Sequence, residues 1–282
     1  MSQARLMEGA SLARRIVEDT AKKAADVTDR TGSAPCLATV LVGEDPASVT
    51  YVRMKQNRCR KAGIESRHVA LPAATTTDEL VATLRGLSDD PGVHGILLQH
   101  PMGEHIDERA AFEAIAPEKD VDGVTFASFA TMSFGLPGFV SCTPGGIIRL
   151  LDEYEVDPSG KRAVVVGRSA ILGKPVGMLL LVRDATVTYC HSRTKELSDV
   201  VREADIVVAA VGRPRLIRGA DIKPGAVVID AGYNPGNVGD VDFDSAVERA
   251  GLITPVPGGV GPMTIATLLE QTVVAAARQL GV

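Results

Sequence analysis

Tryptophan is absent from this 282-residue chain, and aromatic residues make up only 4% of it, so its cores must pack mainly aliphatic side chains from a 45% hydrophobic content. It has no C-x-x-C pair. The cysteines, Cys36, Cys59, Cys142 and Cys190, are scattered, and His68, His94, His100, His105 and His191 form no ligand spacing with them. That argues against a zinc site and fits free thiols in a reducing cytoplasm. Blocks of like charge are missing too. A net charge of −5 and a pI near 5.6 argue against a nucleic-acid partner, which would leave a basic stripe or tail. No run reaches the roughly 18 consecutive apolar residues that read as a membrane span. Residues 1–23 interleave Arg5, Glu8, Arg14, Arg15, Glu18 and Asp19 with apolar positions, unlike a signal peptide. The expectation is a cytoplasmic protein of one or two domains with no membrane partner.

What is present is an alternation of short apolar runs with amphipathic stretches, which predicts an α/β fold with parallel sheets. In the first half, strands are expected near 37–42, 66–71 and 94–99, and helices near 10–28, 47–62, 77–88 and 107–116. Thr76-x-x-Glu79 reads as a capping box ahead of a face made by Leu80, Leu84 and Leu87. The stretch 117–140 shows little periodicity. It ends at Cys142-Thr-Pro144, where Thr143 suits an N-cap and Pro144 a first helical position. A second α/β series follows, with strands at 163–166, 185–190, 205–211 and 226–230 and a last helix over 263–280.

Tyr51 and Lys55 stand four apart on the helix expected at 47–62, so they share a face, and a phenol beside an ammonium is a common arrangement for proton transfer. The alternative is a solvated lysine with a tyrosine packed one turn away. The helix follows the apolar run Leu37–Val42 and the turn 43–46. It therefore starts at the carboxyl end of a strand, where open α/β sheets form ligand clefts.

Val164-Val-Val-Gly-Arg-Ser-Ala-Ile-Leu-Gly-Lys-Pro175 reads as a buried strand, a glycine turn and a helix. Gly167 allows the sharp turn and Gly173 a close helix start. The helix N-terminus would then offer N–H groups to a pyrophosphate. The run is not G-x-G-x-x-G, and an ordinary βα turn remains the alternative. The next strand ends in Tyr189-Cys-His-Ser-Arg-Thr194, with no acid until Glu196. Arg168, Ser192 and Arg193 suit a 2′-phosphate that a carboxylate would repel, which favours NADP over NAD. The alternative for Arg193 is a solvated loop residue. The loops 211–214 and 230–234 close the strand ends expected to face the nicotinamide.

Tyr-x-x-x-Lys also occurs in short-chain dehydrogenases, but there the glycine loop precedes the pair within one domain, and here the order is reversed. Several segments together resemble the bifunctional methylenetetrahydrofolate dehydrogenase/cyclohydrolases. They are Val42-Gly-Glu-Asp-Pro-Ala-Ser48 with Tyr51-Val-Arg-Met-Lys55, Gly95-Ile-Leu-Leu-Gln99, and Pro117-Glu-Lys-Asp-Val-Asp-Gly123. Further on come Cys142-Thr-Pro144, Val166-Gly-Arg-Ser169 with Gly173-Lys-Pro175, Cys190-His-Ser192, Gly239-Asp-Val-Asp-Phe243 and Pro255–Thr264.

The resemblance implies two α/β domains flanking a cleft. One is a folate-binding catalytic domain, 1–140 completed by helix 263–282. The other is a Rossmann-like NADP-binding domain, 141–262. It implies a cytosolic homodimer acting on one-carbon derivatives of tetrahydrofolate. Methylenetetrahydrofolate would give a hydride to NADP, and water would open the methenyl product to 10-formyltetrahydrofolate.

Lys55 resembles the family's catalytic lysine, with Tyr51 orienting folate and proton traffic and Gln99 bonding the ammonium. A neighbouring cationic intermediate would lower the lysine's pKa during part of the cycle. Asp122 matches the pterin-binding carboxylate, with Asp120 as a competing candidate suited to a turn or cap. Pro257, Gly258 and Gly259 would press on the folate ring as a backbone wall, or simply form a tight turn. Departures from the family pattern are His100 after Gln99, the stretch 124–134, Ser141, and Tyr233-Asn-Pro-Gly-Asn237. The alternatives are a dehydrogenase without efficient hydrolysis, a non-catalytic nucleotide-binding regulator, and a two-domain dehydrogenase of the shikimate or amino-acid type.

Overall fold

The computed structural model describes residues 3–43 and 55–282. They form two compact units, Arg15–Ala130 with Leu268–Val282, and Met1–Arg14 with Thr131–Thr267. Both are α/β with parallel sheets, as the alternating pattern predicts.

In the first unit the sheet order is β3-β2-β4, with β2 (Cys36–Val42) central, β3 (Glu65–Leu71) and β4 (Gly95–Leu98) beside it. All seven β2 residues are buried, whereas β3 is half exposed, as expected of an edge strand with Glu65, Ser66, Arg67 and His68. Successive crossovers leave β2 on opposite sides, so the topological switch point lies at its carboxyl end. The described part of α2 covers 55–61. The expected start of this helix, and Tyr51 with it, lie outside the described residues. Helix α3 (Thr77–Asp89) begins with the reciprocal Thr76–Glu79 capping box and buries Leu80, Leu84 and Leu87. Three such burials contribute roughly 1.5–3 kcal/mol each. Just past its other end the buried Lys119 donates to the Asp90 carbonyl at 2.7 Å, and burial lowers its pKa.

The second unit's sheet runs β1-β9-β8-β7-β5-β6. Its strands are β5 (Arg162–Val166), β6 (Thr186–Cys190), β7 (Ile206–Ala209) and β8 (Val227–Asp230), extended by β9 (Leu252–Ile253) and β1 (Arg5–Leu6). β6 and β7 flank β5, which again puts a switch point at a carboxyl end, here that of β5. Val164, Val166, Val207, Ala209 and Val228 build one side of this core, in line with an aliphatic composition poor in aromatics.

Several expectations are corrected. β1 and β9 are two-residue strands with no readable period, yet Arg5 pairs with Leu252, which ties the N-terminus to the second unit. Stretch 117–140 contains α5 (Phe126–Ser133). α6 (Cys142–Glu153) has Ser141 at its N-cap position, without a side-chain cap bond, which places Thr143 and Pro144 inside the first turn, and Thr143 Oγ1 bonds Thr264 Oγ1 at 3.0 Å. Helix 107–116 shortens to α4 (Glu108–Phe112), and the last helix, α10, spans Val260–Leu280. By length and composition α10 could cross a membrane, although 61% of its most apolar window is buried within the protein. From it Gln271 donates to the Val121 carbonyl and Gln279 to those of His94 and Glu118. All four cysteines are free and buried.

Candidate functional site

At the carboxyl end of the first unit's sheet, the Gln99 N–H continues the ladder onto the Val40 carbonyl at 2.9 Å, which fixes the backbone just beyond β4. The Gln99 side-chain oxygen accepts from Lys55 Nζ at 2.9 Å, and its amide nitrogen donates to the His100 carbonyl at 2.8 Å. Because the NH₂ is committed to a carbonyl, the oxygen must face the ammonium. Lys55 and Gln99 are both half-buried, so the structure joins two of the predicted site residues directly.

Asp122 is half-buried on the turn after the short 3-10 helix Pro117–Lys119. Its rival Asp120 is fully buried and committed. Its carboxylate accepts from the N–H groups of Val124 and Thr125 at 3.0 and 2.9 Å and from Ser128 Oγ at 2.6 Å, which anchors the start of α5. Asp120 is thus a structural cap, and Asp122 is the half-buried carboxylate of this turn.

In the second unit, Gly167 lies at the switch point with φ +132°. Its N–H bonds the Cys190 carbonyl at 2.9 Å, and an added Cβ would overlap the Ala210 carbonyl. Gly173 opens α7 (Gly173–Val182), where a Cβ would stand 2.5 Å from the Gly167 oxygen and 2.7 Å from the Arg168 nitrogen. Strand, turn and helix therefore pack backbone on backbone.

The expected helix-end donors are otherwise engaged. The Gly173 N–H donates to Ser169 Oγ and the Lys174 N–H to the Ser169 carbonyl, while Pro175 has none. Instead, the consecutive N–H groups of 168–172 have no hydrogen-bond acceptor among the described residues. A run of open N–H groups beside a glycine turn can cradle a pyrophosphate, so the donor set fits a dinucleotide, one turn earlier than the sequence suggests. Arg168, Ser192 and Arg193 are all exposed, the last two on a tight turn after β6. There the Thr194 N–H bonds the His191 carbonyl and the Arg193 N–H bonds His191 Nδ1.

Sequence reasoning missed two buried acids, Asp230 at the end of β8 and Asp240 in the loop that follows it. Asp240 Oδ2 accepts from the N–H groups of Val211 and Gly212 at 2.6 and 2.9 Å, and Oδ1 accepts from Asn234 at 3.0 Å. Asp230 accepts from the N–H groups of Gly232, Asp240 and Val241. These bonds lock both loops expected beside the nicotinamide. The signal was the repeated Gly/Asp pattern in 230–241, readable as loop chemistry but not as one network.

Burial pushes the Asp230 carboxyl up to about 6, against the pull of those three N–H donors and with a smaller push from Asp240. A folded pKa above the unfolded value means that this group's stabilisation is complete below about pH 4 and is lost as pH rises through about 6. In full it is worth roughly 3 kcal/mol. Asp230→Asn is therefore expected to flatten the fall in urea midpoint between pH 4 and 7 relative to wild type, whatever its constant offset. Parallel curves would remove Asp230 as the linked group.

Loop 254–259 packs tightly on its own unit. The Gly259 N–H bonds the Pro255 carbonyl and the Gly9 N–H bonds the Gly258 carbonyl, both at 2.9 Å. Gly259 is buried, Gly258 half-buried at φ +110°, and Pro257 exposed. Pro257 and Gly258 thus form the accessible surface, and Gly259 the packed base.

A nucleotide-type turn on a parallel sheet, with a lysine–amide pair at another sheet's carboxyl end, defines an α/β enzyme of the dinucleotide-dependent class. Residues 7–122 match the catalytic domain, and 141–280 the NAD(P)-binding domain, of tetrahydrofolate dehydrogenase/cyclohydrolase. The chain belongs to the tetrahydrofolate dehydrogenase/cyclohydrolase family. It is 80% identical over 279 residues to Bifunctional protein FolD 1 of Streptomyces avermitilis, covering 99% of this chain and 97% of that one. Among solved structures, the bifunctional FolD dehydrogenase/cyclohydrolase of Campylobacter jejuni superposes with a TM-score of 0.94 at 42% identity, covering 98% and 99% of the two chains. The Trypanosoma brucei enzyme, complexed with NADP cofactor and inhibitor, gives 0.94 at 39% identity over 99% of both.

Proposed function

We propose that Lys55, aimed by Gln99, moves the proton in the hydrolytic half of the two reactions this chain catalyses. It oxidises 5,10-methylenetetrahydrofolate to the 5,10-methenyl cation with NADP, then hydrolyses that product to 10-formyltetrahydrofolate. The observation that carries the reading is the 2.9 Å hydrogen bond from Lys55 Nζ to Gln99 at the carboxyl end of β4.

NADP supplies the hydride acceptor. The folate nitrogens stabilise the cation that hydride loss leaves, so the protein's task in that step is positioning. Hydrolysis adds water to the methenyl carbon, and one C–N bond then opens. A proton must leave the water and another must reach the departing nitrogen, and Lys55 is the group placed for this traffic. Tyr51 is assigned to orient folate beside it. Asp122 accepts from the N–H and NH₂ edge of the pterin, which presents parallel donors to a carboxylate. Pro257, Gly258 and Gly259 offer the ring a flat backbone surface. The open N–H groups of 168–172, with Gly167, Ser169 and Gly173 shaping the turn, receive the pyrophosphate. Arg168, Ser192 and Arg193 receive the 2′-phosphate.

We also place the chain in the cytoplasm as a homodimer. Supporting the dimer are the edge position of β6 and the exposed Leu181 and Val182 on the helix packed against it.

The test is an assay with methylenetetrahydrofolate that quantifies reduced nicotinamide and methenyl-folate separately. Reduced NADP should appear with little methenyl-folate, because hydrolysis drains it. Arg193→Ser should raise the KM for NADP about tenfold, the size of one lost charge-assisted hydrogen bond of roughly 1.5 kcal/mol, and barely change that for NAD. Methenyl-folate accumulating as fast as reduced nucleotide would leave a dehydrogenase alone.

A further inference from the structure

The Gln99 amide that holds Lys55 is itself held by a second link. Its NH₂ donates to the His100 carbonyl at 2.8 Å. The His100 imidazole in turn pairs through Nδ1 with Glu108 Oε1 at 2.8 Å. Glu108 opens the short helix α4, which is tied down around it. The Asp107 side chain accepts from the N–H groups of Arg109 and Ala110, and the Asp107 N–H donates to Thr77 Oγ1 at 3.0 Å. A continuous line of contacts thus runs from α4 through Glu108, His100 and Gln99 to Lys55 Nζ. The order cannot be reversed without setting the Gln99 NH₂ against an ammonium.

We propose that His100, anchored by Glu108, is a positioning residue for hydrolysis. It fixes the carbonyl that selects the Gln99 amide orientation, and so fixes the direction of Lys55 Nζ. The inference rests on the assignment of Lys55 to hydrolysis. It predicts a selective defect, because proton transfer depends steeply on the placement of Nζ, while hydride transfer depends on nucleotide and folate placement. His100 and Glu108 are partly exposed, so water can replace their mutual bond and the fold does not depend on it.

The experiment compares His100→Leu, His100→Asn and Glu108→Ala with wild type, reading hydride transfer, methenyl hydrolysis and melting temperature on each full-length protein. His100→Leu and Glu108→Ala should each lower the kcat of hydrolysis about tenfold, with its KM and the hydride rate within twofold of wild type. The double variant should be no worse than either single one. His100→Asn sets an amide N–H near the Nδ1 position and should restore most of the loss.

Three results would overturn the proposal: hydrolysis unchanged in His100→Leu, both activities falling in parallel with melting temperature, or no difference between Leu and Asn. Lys55→Met run alongside separates the two levels. If it keeps hydrolysis, the assignment of Lys55 has failed. If it loses hydrolysis while the His100 variants behave as wild type, only the positioning role has failed.

Discussion

Lys55→Met is expected to cut methenyl-folate hydrolysis by about 10² to 10⁴-fold, the range that positioned proton transfer contributes, and to leave hydride transfer largely intact. Methionine keeps the length and apolar stem of lysine but has no donor. The 2.9 Å bond to Gln99 is therefore lost while the packing of the stem is retained. Gln99 keeps its second bond, to the His100 carbonyl. Being half-buried, its freed oxygen can turn to water, so the penalty stays below the roughly 1–3 kcal/mol of a fully buried unsatisfied acceptor. The variant should then fold, bind and oxidise. In a stopped assay, reduced nucleotide and methenyl-folate should appear in equal amounts in the variant, with little methenyl-folate in wild type. Hydrolysis surviving within tenfold of wild type would take Lys55 out of that step.

Gly167→Ala should have the second largest effect, on the other reaction. At φ +132° an L side chain is strained, and the added methyl would meet the Ala210 carbonyl, a backbone atom that cannot swing aside. The strain alone is of order 1–3 kcal/mol. Relieving it must displace the turn whose N–H groups, 168–172, have no acceptor among the described residues. The expected result is a KM for NADP raised at least tenfold and a lower melting temperature, with hydrolysis of supplied methenyl-folate retained because that step uses no nucleotide. An unchanged KM would mean that the turn is not where the pyrophosphate rests.

These outcomes depend on features of unequal legibility in the sequence. β2, β5, β7 and β8 are continuous apolar runs and fall within a residue or two of their expected starts, because strands buried on both faces announce themselves. β7 nevertheless stops at Ala209, two residues short, where Val211 turns its N–H to Asp240 instead of a neighbouring strand. The capping box of α3 was readable because both partners lie three residues apart. α5 was not, since what anchors it is a buried carboxylate, Asp120, set in a different turn. The glycine turn was readable as a turn, but not which of its N–H groups remain open. That depends on whether Ser169 Oγ folds back onto Gly173, a choice made by local geometry rather than residue type. The tie between Gln99 and Lys55 was expected only from the resemblance, and the Glu108–His100 pair behind it was not foreseen.

The last turns of α10 have a consequence for biosynthesis. Gln271 and Gln279 reach carbonyls of Val121, His94 and Glu118, more than 140 positions earlier in the chain. A ribosome translating this message has made every strand of the first unit long before those two glutamines exist. The nascent first unit must therefore wait, incomplete along that seam, while residues 131–267 of the second unit are made. A stop codon after residue 267 should leave the lysine site encoded in full but its scaffold unfinished.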